Sequence, residues 1–458
     1  MTSLYIFRRD IRLVDNIGFI ECYKNSDKII PIFIFTPDQI DNNPYFSSNA
    51  FQFLLESLKD LDNDLKTKYN SQMHYYYGDN IEILKEIYKE HKYDNIYFNM
   101  DYTPYARDRD TKIKKYCDEN KINIIITEDY LLNNIGSFLK DDNTAYQKYT
   151  PFKNKVKTFD IPKPNNFKFN KDKFKKIKFT FDLKKLDKYY QKNDNLIVSG
   201  NRENALKNME NLNKFANYGN DRNILNLSTT HLSAYIKFGN ISIREVFHKL
   251  LNIFGINHGL IDQLIWREFY FYLSYYFPHV LHGKSLKIKY DAIKWKNDQK
   301  IFKKWTEGET GFPIVDAGIR ELNTTGYMHN RARLVTASIL IKILNCDWRL
   351  GEKYFATKLV DYDPSVNNGN WQWVSSSGAD SQPYFRIFSP WKQSFDYDKD
   401  CLYIKKWIPE LSEVPNKDIH NWYKTCEKYK NINYPKPIVD YDIMKKEILE
   451  VYKKGLYT

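Results

Sequence analysis

Five short runs rich in β-branched and aromatic residues, at 4–7, 29–35, 73–77, 95–99 and 122–127, punctuate the first 130 residues of this chain. Amphipathic patterns at roughly 48–68, 81–92 and 105–120 lie between them. Strand and helix alternating at that pace predict βαβ units, which close their hydrogen bonds as a parallel, doubly wound sheet of the Rossmann-like type. No Gly-x-Gly-x-x-Gly follows a strand in this region, and no Walker-type loop is present. The sheet therefore lacks the usual phosphate cradles.

Beyond residue 130 the pattern changes. Residues 131–197 read as a Lys-, Asn- and Phe-rich connector with scattered prolines, and 171–178 is nearly all basic and aromatic. A solvated linker over the surface is the expectation for such a stretch. From 198 to the end the periodicity is helical almost throughout. The expected fold class is thus α/β plus all-α: an α/β domain at 1–130, a connector at 131–197 and a helical domain at 198–458.

At 458 residues the chain can bury a large core. Its net charge of +13 favours a polyanionic partner, nucleic acid ahead of a membrane surface, although richness in Lys, Asn, Ile and Tyr also reflects compositional bias. Five scattered cysteines form no Cys-x-x-Cys pair, which argues against a disulfide framework or zinc site and for a reducing compartment. Arg8, Arg9 and Asp10 follow a short apolar run, unlike a signal peptide, and no apolar stretch is long enough to span a bilayer. The expected location is cytoplasmic or nuclear, with DNA, and the protein is expected to be a monomer.

Residues 361–373 read Asp-Tyr-Asp-Pro-Ser-Val-Asn-Asn-Gly-Asn-Trp-Gln-Trp. Asp363 before Pro364 predicts an N-cap with proline at the first helical position, and Gly369 predicts the left-handed end of a short helix. The spacing is not that of a calcium loop, because Val366 and Gln372 stand where glycine and glutamate are needed; no metal is expected. Acceptors beside electron-rich rings suit a redox cofactor.

Three further clusters carry chemistry. Gln263, Trp266, Arg267 and Tyr270 share one helical face, while Leu264, Ile265 and Phe269 face a core. An amide, an indole and a guanidinium together suit a planar ligand with polar edges; an ordinary amphipathic helix is the plain alternative. In 326–333, Asn330 and Arg333 align, Arg333 can pair with Asp361, and Arg331 can meet a phosphate or base. His329 reads as a hydrogen-bonded structural histidine. Ser228, Thr229, Thr230, His231, Leu232 and Ser233 put hydroxyls and backbone N–H groups at a helix start, fit for a pyrophosphate or for capping alone. Trp295, Trp348 and Trp371 are oxidisable indoles that either fill a core or relay an electron.

Taken together, these segments resemble the photolyase/cryptochrome family, most closely its class I cyclobutane pyrimidine dimer photolyases. The resemblance is carried by Phe7-Arg8-Arg9-Asp10-Ile11-Arg12-Leu13-Val14-Asp15-Asn16, Leu264-Ile265-Trp266-Arg267-Glu268-Phe269-Tyr270 and Gly311-Phe312-Pro313-Ile314-Val315-Asp316-Ala317. Met328-His329-Asn330-Arg331, Asn367-Asn368-Gly369-Asn370-Trp371-Gln372-Trp373 and Pro383-Tyr384-Phe385-Arg386-Ile387-Phe388 complete it. It implies a non-covalent FAD, active when reduced, lined by Tyr218, Thr229, Thr230, His231, Leu232, Ser233, Arg267, Asn330, Arg333, Asp361, Tyr362, Asp363 and Asn367. Asn367 would face the redox-active ring nitrogen. UV-damaged DNA would be the partner, its dimer clasped by Trp266 and Trp373, with Gln263, Arg267, Tyr270, Asn330 and Arg331 at its edges and Arg222 and Gln393 near the backbone. Trp371, Trp348 and Trp295 would form the photoreduction chain.

Three positions depart from the class I pattern. Gln263 stands where glutamate is usual and resembles the (6-4) photolyases there; Tyr327 replaces a common tryptophan; and 101–108 lacks the Asn-Glu pair tied to methenyltetrahydrofolate. The second chromophore is therefore open between a folate, a deazaflavin and none. Against a (6-4) photolyase stands Asn330, where a second histidine is expected. Against a non-repairing blue-light receptor stands the end at Thr458, with no long tail after the last helix.

Overall fold

The structure, a computed structural model, describes residues 1–178 and 181–457. It comprises two compact units, Met1–Asn193 with Val198–Ala216 and Thr230–Pro278, and Asp194–Ile197 with Asn217–Thr229 and His279–Thr458. Residues 198–216 and 230–278 thus group with the sheet, a division different from the one read along the chain.

In the first unit β1 (Thr2–Ile6), β2 (Lys28–Phe35), β3 (His74–Tyr77), β4 (Asn95–Asn99) and β5 (Asn123–Thr127) form one parallel sheet in the order β3-β2-β1-β4-β5. Leu4 registers against Ile30 on one side and Ile96 on the other. Strand order reverses at β1, so the C-terminal ends of β1 and β4 flank a cleft. Local chemistry explains the helices between the strands. Ser47, Asp79 and Thr103 cap Ser48–Tyr69, Asn80–Glu90 and Pro104–Asn120, the last with proline at its start.

The 131–197 stretch is not a solvated linker. It contains the helix Tyr149–Val156, and Leu132, Phe138 and Phe152 are fully buried. Farther on, Phe167 and Phe169 pack on Tyr23. Aromatic rings placed every few residues supply the apolar area that orders this segment, a signal masked by the surrounding lysines and prolines.

The Phe7–Asn16 signature owes its character to a buried ionic knot. Arg12 and Arg244 both bind Asp129, and Arg244 also reaches Asp15 at 3.0 Å. All four side chains are at most 3% exposed. Burial alone would raise the Asp129 carboxyl; the Arg12 and Arg244 guanidiniums outweigh it and hold the group below the usual carboxylate range.

The second unit is helical. Pro313–Thr325, Asn330–Lys342, Trp348–Lys358 and Pro364–Ser375 pack around Val315, Leu322, Val335, Ile339, Leu340, Phe355 and Trp371. Asp363 caps the last of these as expected, accepting from Ser365 and Val366 N–H. Gly369 does not end it: the helix continues to Ser375, and Ser376 takes the left-handed conformation at φ 73°. A glycine inside a helix costs about 1 kcal/mol, less than the burial of Trp371 two residues on returns.

Removing one partner of the knot strands buried charge. Asp129→Ala should lower unfolding free energy by about 3–5 kcal/mol in denaturant titrations, whereas exposed Asp118→Ala should change it by less than about 0.5 kcal/mol.

Candidate functional site

The helix Trp348–Lys358 presents Trp348, Gly351, Glu352 and Phe355 along one face, at spacing i, i+3, i+4 and i+7. The helix Pro364–Ser375 lies against that face. Asn367 Nδ2 donates to both the Glu352 backbone oxygen at 3.0 Å and its Oε1 at 3.1 Å. Both amide hydrogens are thereby used, leaving the Asn367 carbonyl oxygen as an oriented acceptor. One turn later the Trp371 ring lies edge-on to Phe355 at 4.9 Å. A Cβ on Gly351 would stand 2.2 Å from that indole, so only glycine admits it. Trp373, two residues on, points about 200° away around the helix and is half-buried, while Trp371 is 2% exposed.

Trp348 and Trp371 belong to one apolar cluster, with Trp295 packed against it. Asp347 N–H donates to Asn297 Oδ1 at 2.7 Å, tying the Trp295 segment to the start of the Trp348 helix.

Arg333 pairs with Asp361 through contacts of 3.0 and 3.2 Å and donates from Nε to Met328 O. Its guanidinium lies 5.4 Å over Tyr327, whose hydroxyl is 2.6 Å from that of Thr229. The tyrosine at 327 thus makes a hydrogen bond to Thr229 that indole, a donor placed elsewhere on its ring, would not reproduce. Tyr218 and Tyr362 are half-buried nearby in the chain's second unit, and Asn330 is exposed at the first position of its helix. His329 is structural: it is 4% exposed and its Nδ1 accepts from Arg331 N–H.

Arg331 is held by Asn223 Oδ1 at 2.7 Å, by Gln393 at 3.4 Å and by the Tyr397 ring at 4.4 Å. Burial and then the nearby charge of Arg222 lower its pKa. Three of the residues expected near DNA, Arg222, Arg331 and Gln393, therefore share one patch.

In the first unit Gln263, Trp266, Arg267 and Tyr270 lie on the helix Gly259–Tyr276. Trp266 stacks on Tyr149 at 3.6 Å and 6°, which covers one indole face and fixes the ring. Tyr270 is buried at 5% exposure rather than presented outward. Arg267 lies over Tyr130 at 4.2 Å and donates to Glu268 and to Tyr130 O. Burial pushes the Glu268 carboxyl up to about 7, against the pull of Arg267 and of the Leu132 N–H. The hydroxyl-rich run leads into a helix start, as expected, but none of its hydroxyls caps the helix. The short helix Ser233–Phe238 begins at Ser233, Leu232 caps it without a side-chain bond, and His231 is left-handed at φ 49°.

The cleft at the ends of β1, β4 and β5 is lined by Arg9, Asp101 and Tyr130 among others. Arg9 pairs with Asp101 at 3.2 Å and stacks 4.1 Å over Tyr130. Among the described residues, no group of three or more His, Cys, Asp or Glu side chains could hold a metal ion, and no helix is long and apolar enough to cross a membrane.

Sequence reasoning missed Glu352, Gly351, Asn223, Tyr397 and Tyr149. Glu352 and Gly351 were accessible from the i, i+3, i+4, i+7 face they share with Trp348 and Phe355; the others act across long chain separations that no local pattern encodes.

Lys342, 1% exposed, closes the far end of the Asn367 helix. Its Nζ donates to Ser376 Oγ at 3.3 Å and Arg386 O at 3.0 Å. Burial, then Arg386, lowers it to about 7. Between pH 7 and 10.5 the unfolded chain holds a proton that the folded chain does not, so stability rises with pH across that window. Wild type should therefore gain roughly 4–5 kcal/mol relative to Lys342→Met from pH 7 to 10.5. Denaturant midpoints read at each pH check this; parallel profiles contradict it.

Comparison with known proteins bears on these sites. The DNA photolyase family matches residues 3–167, and the FAD binding domain of DNA photolyase matches residues 260–454. The deoxyribodipyrimidine photo-lyase of Buchnera aphidicola subsp. Acyrthosiphon pisum is 36% identical, covering 99% of this chain and 97% of its own. That of Escherichia coli K12 is 31% identical, over 99% and 98%. An archaeal photolyase from Sulfolobus tokodaii, solved with two FAD molecules, superposes with a TM-score of 0.90 at 37% identity over 99% and 100% of the two chains. A bacterial class III photolyase from Agrobacterium tumefaciens gives 0.92 at 30% identity over 100% and 98%.

Proposed function

This chain belongs to the DNA photolyase family, and we propose that it repairs cyclobutane pyrimidine dimers in DNA with light, as a deoxyribodipyrimidine photolyase of the class I type. The observation that carries the reading is the orientation of Asn367. With both amide hydrogens on Glu352, its carbonyl oxygen offers an acceptor suited to an N–H of a reduced flavin ring. The donor set of the second unit fits FAD on that ground. Arg333 and Asp361 supply a charge pair for the ring system, and Tyr218, Thr229, Asn330, Tyr362 and Asp363 supply polar edges; the family resemblance adds Thr230, His231, Leu232, Ser233 and Arg267.

When bound in its reduced form, FAD would supply, on absorbing light, the one electron needed to open the cyclobutane ring, and the electron would then return to it. The chain's own residues bind, orient and exclude water. Photolyases are among the enzymes that take the target nucleotide out of the stack. Trp266, fixed by Tyr149, and Trp373 stack on the extruded bases. Gln263, Tyr270, Asn330 and Arg331 address their edges, and Arg222 and Gln393 meet phosphate. Trp371, Trp348 and Trp295 would relay electrons to an oxidised cofactor, a route supported by Trp348 and Trp371 sharing one apolar cluster against which Trp295 packs.

In this reading residues 1–130 are the antenna domain, 131–197 the connector and 198–458 the FAD- and DNA-binding domain. An antenna chromophore, a folate or deazaflavin, would sit on the first unit; the Sulfolobus relative is described as using a novel light-harvesting cofactor. The protein works as a monomer in a reducing, DNA-containing compartment, which five free thiols, four of them buried, suit.

Illumination of the reduced, flavin-loaded protein with oligonucleotides bearing either lesion tests the function. Chromatography should show restored pyrimidines from the cyclobutane dimer only; turnover of the (6-4) lesion alone, or none, refutes it. Trp373→Ala should weaken binding to dimer-containing DNA at least tenfold with full flavin content. Gln263→Glu should raise the yield of repair per absorbed photon, since a carboxylate in place of the amide can hold a negative charge and accept a proton; an unchanged yield contradicts that role.

A further inference from the structure

We propose that residues 163–178 and 181–192 form a second DNA-contacting surface, which grips the phosphate backbone of duplex DNA regardless of lesion or sequence. This goes beyond the repair site and rests on the reading of DNA as the substrate. The stretch 163–192 holds eleven lysines and three aspartates, a net charge of +8 in thirty residues, whereas the other 428 residues together carry +5. Compositional bias alone would spread that excess along the chain.

The charges are held in place. Phe167, Phe169 and Phe174 pack on Tyr23 at 5.4, 5.0 and 6.2 Å. Lys175 N–H donates to Ile29 O at 2.8 Å, and Phe181 N–H to Tyr75 O at 2.7 Å, so the backbone is stitched to β2 and β3. Lys163, Lys168, Lys171, Lys178 and Lys184 are exposed, and among the described residues none of the five makes an ion pair. Some lysines on the helices of the same unit are instead neutralised locally: Lys66, Lys68, Lys85 and Lys112 pair with Asp62, Asp64, Glu82 and Asp108. Exposed like charges at this density along an anchored backbone repel one another, and a polyanion relieves that repulsion while releasing its own counterions. A lipid surface fits less well, because the aromatic rings that would insert are turned onto Tyr23.

The test uses the full-length, flavin-loaded protein carrying Lys163→Gln, Lys168→Gln, Lys171→Gln and Lys178→Gln together. Affinity for lesion-free and dimer-bearing duplexes is read by fluorescence anisotropy across a salt series. The slope of log affinity against log salt should fall by about 2–4, near 0.9 for each lost phosphate contact. Affinity for the lesion-free duplex should drop at least tenfold, with the ratio between the two duplexes and the repair yield of bound dimer unchanged. The matching four-arginine variant should restore the slope, which separates lost charge from misfolding. An unchanged slope overturns the proposal, as does binding lost only for phosphatidylserine vesicles or for single-stranded RNA. Failure of this test leaves dimer repair by the parent protein intact, and failure of repair would appear with the parent protein itself.

Discussion

The contact between the helices Trp348–Lys358 and Pro364–Ser375 is the constraint on which the second unit depends. Glu352 takes both amide hydrogens of Asn367, and Gly351 gives up its side chain so that Trp371 can lie against the helix. One interface therefore sets the polarity offered to a ligand at position 367 and the burial of an oxidisable ring one turn on. Trp373 projects to nearly the opposite side of the same helix and is half-buried, while Trp371 is almost fully buried. The Asp363 cap and proline start fix where that helix begins, and Lys342 occupies its far end.

The first unit is organised by charge rather than by a phosphate loop. Arg12, Asp15, Asp129 and Arg244 come from three separate places in the chain and meet with almost no solvent contact. Such a knot is weak evidence for net stability, since desolvation offsets much of the attraction, but it penalises any arrangement that leaves one member alone. Arg8 and Arg9 are likewise committed, to Asp110 and to Asp101 and Tyr130. The family signature at residues 7–16 thus records how the sheet is closed, and only secondarily what it binds.

Much of this was legible in the residues. Strands rich in β-branched and aromatic residues stand out as short apolar runs, so β1 to β5 and the helices at 48–69, 80–90 and 104–120 fall within a few residues of their expected places, whereas the helix Ile17–Lys24 between β1 and β2 was not anticipated. The Arg333–Asp361 pair and the Asp363 cap follow from charge and local geometry. The helix end at Gly369 was misplaced because local preference lost to tertiary packing, which carries the helix a turn and a half past the glycine. The connector was misread because its sparse rings are the ordering element, and composition weighs them below the lysines. Glu352 and Tyr149 escaped notice because their roles exist only once Asn367 and Trp266 are brought against them.

The central claim is that a reduced flavin held by this chain passes an electron to a damaged pyrimidine pair. Its most direct test is the excited-state lifetime of the reduced flavin in the loaded protein, measured with saturating dimer-bearing and undamaged DNA. The lifetime should shorten with the dimer and stay as it is with undamaged DNA. Equal lifetimes in the two complexes would contradict the account.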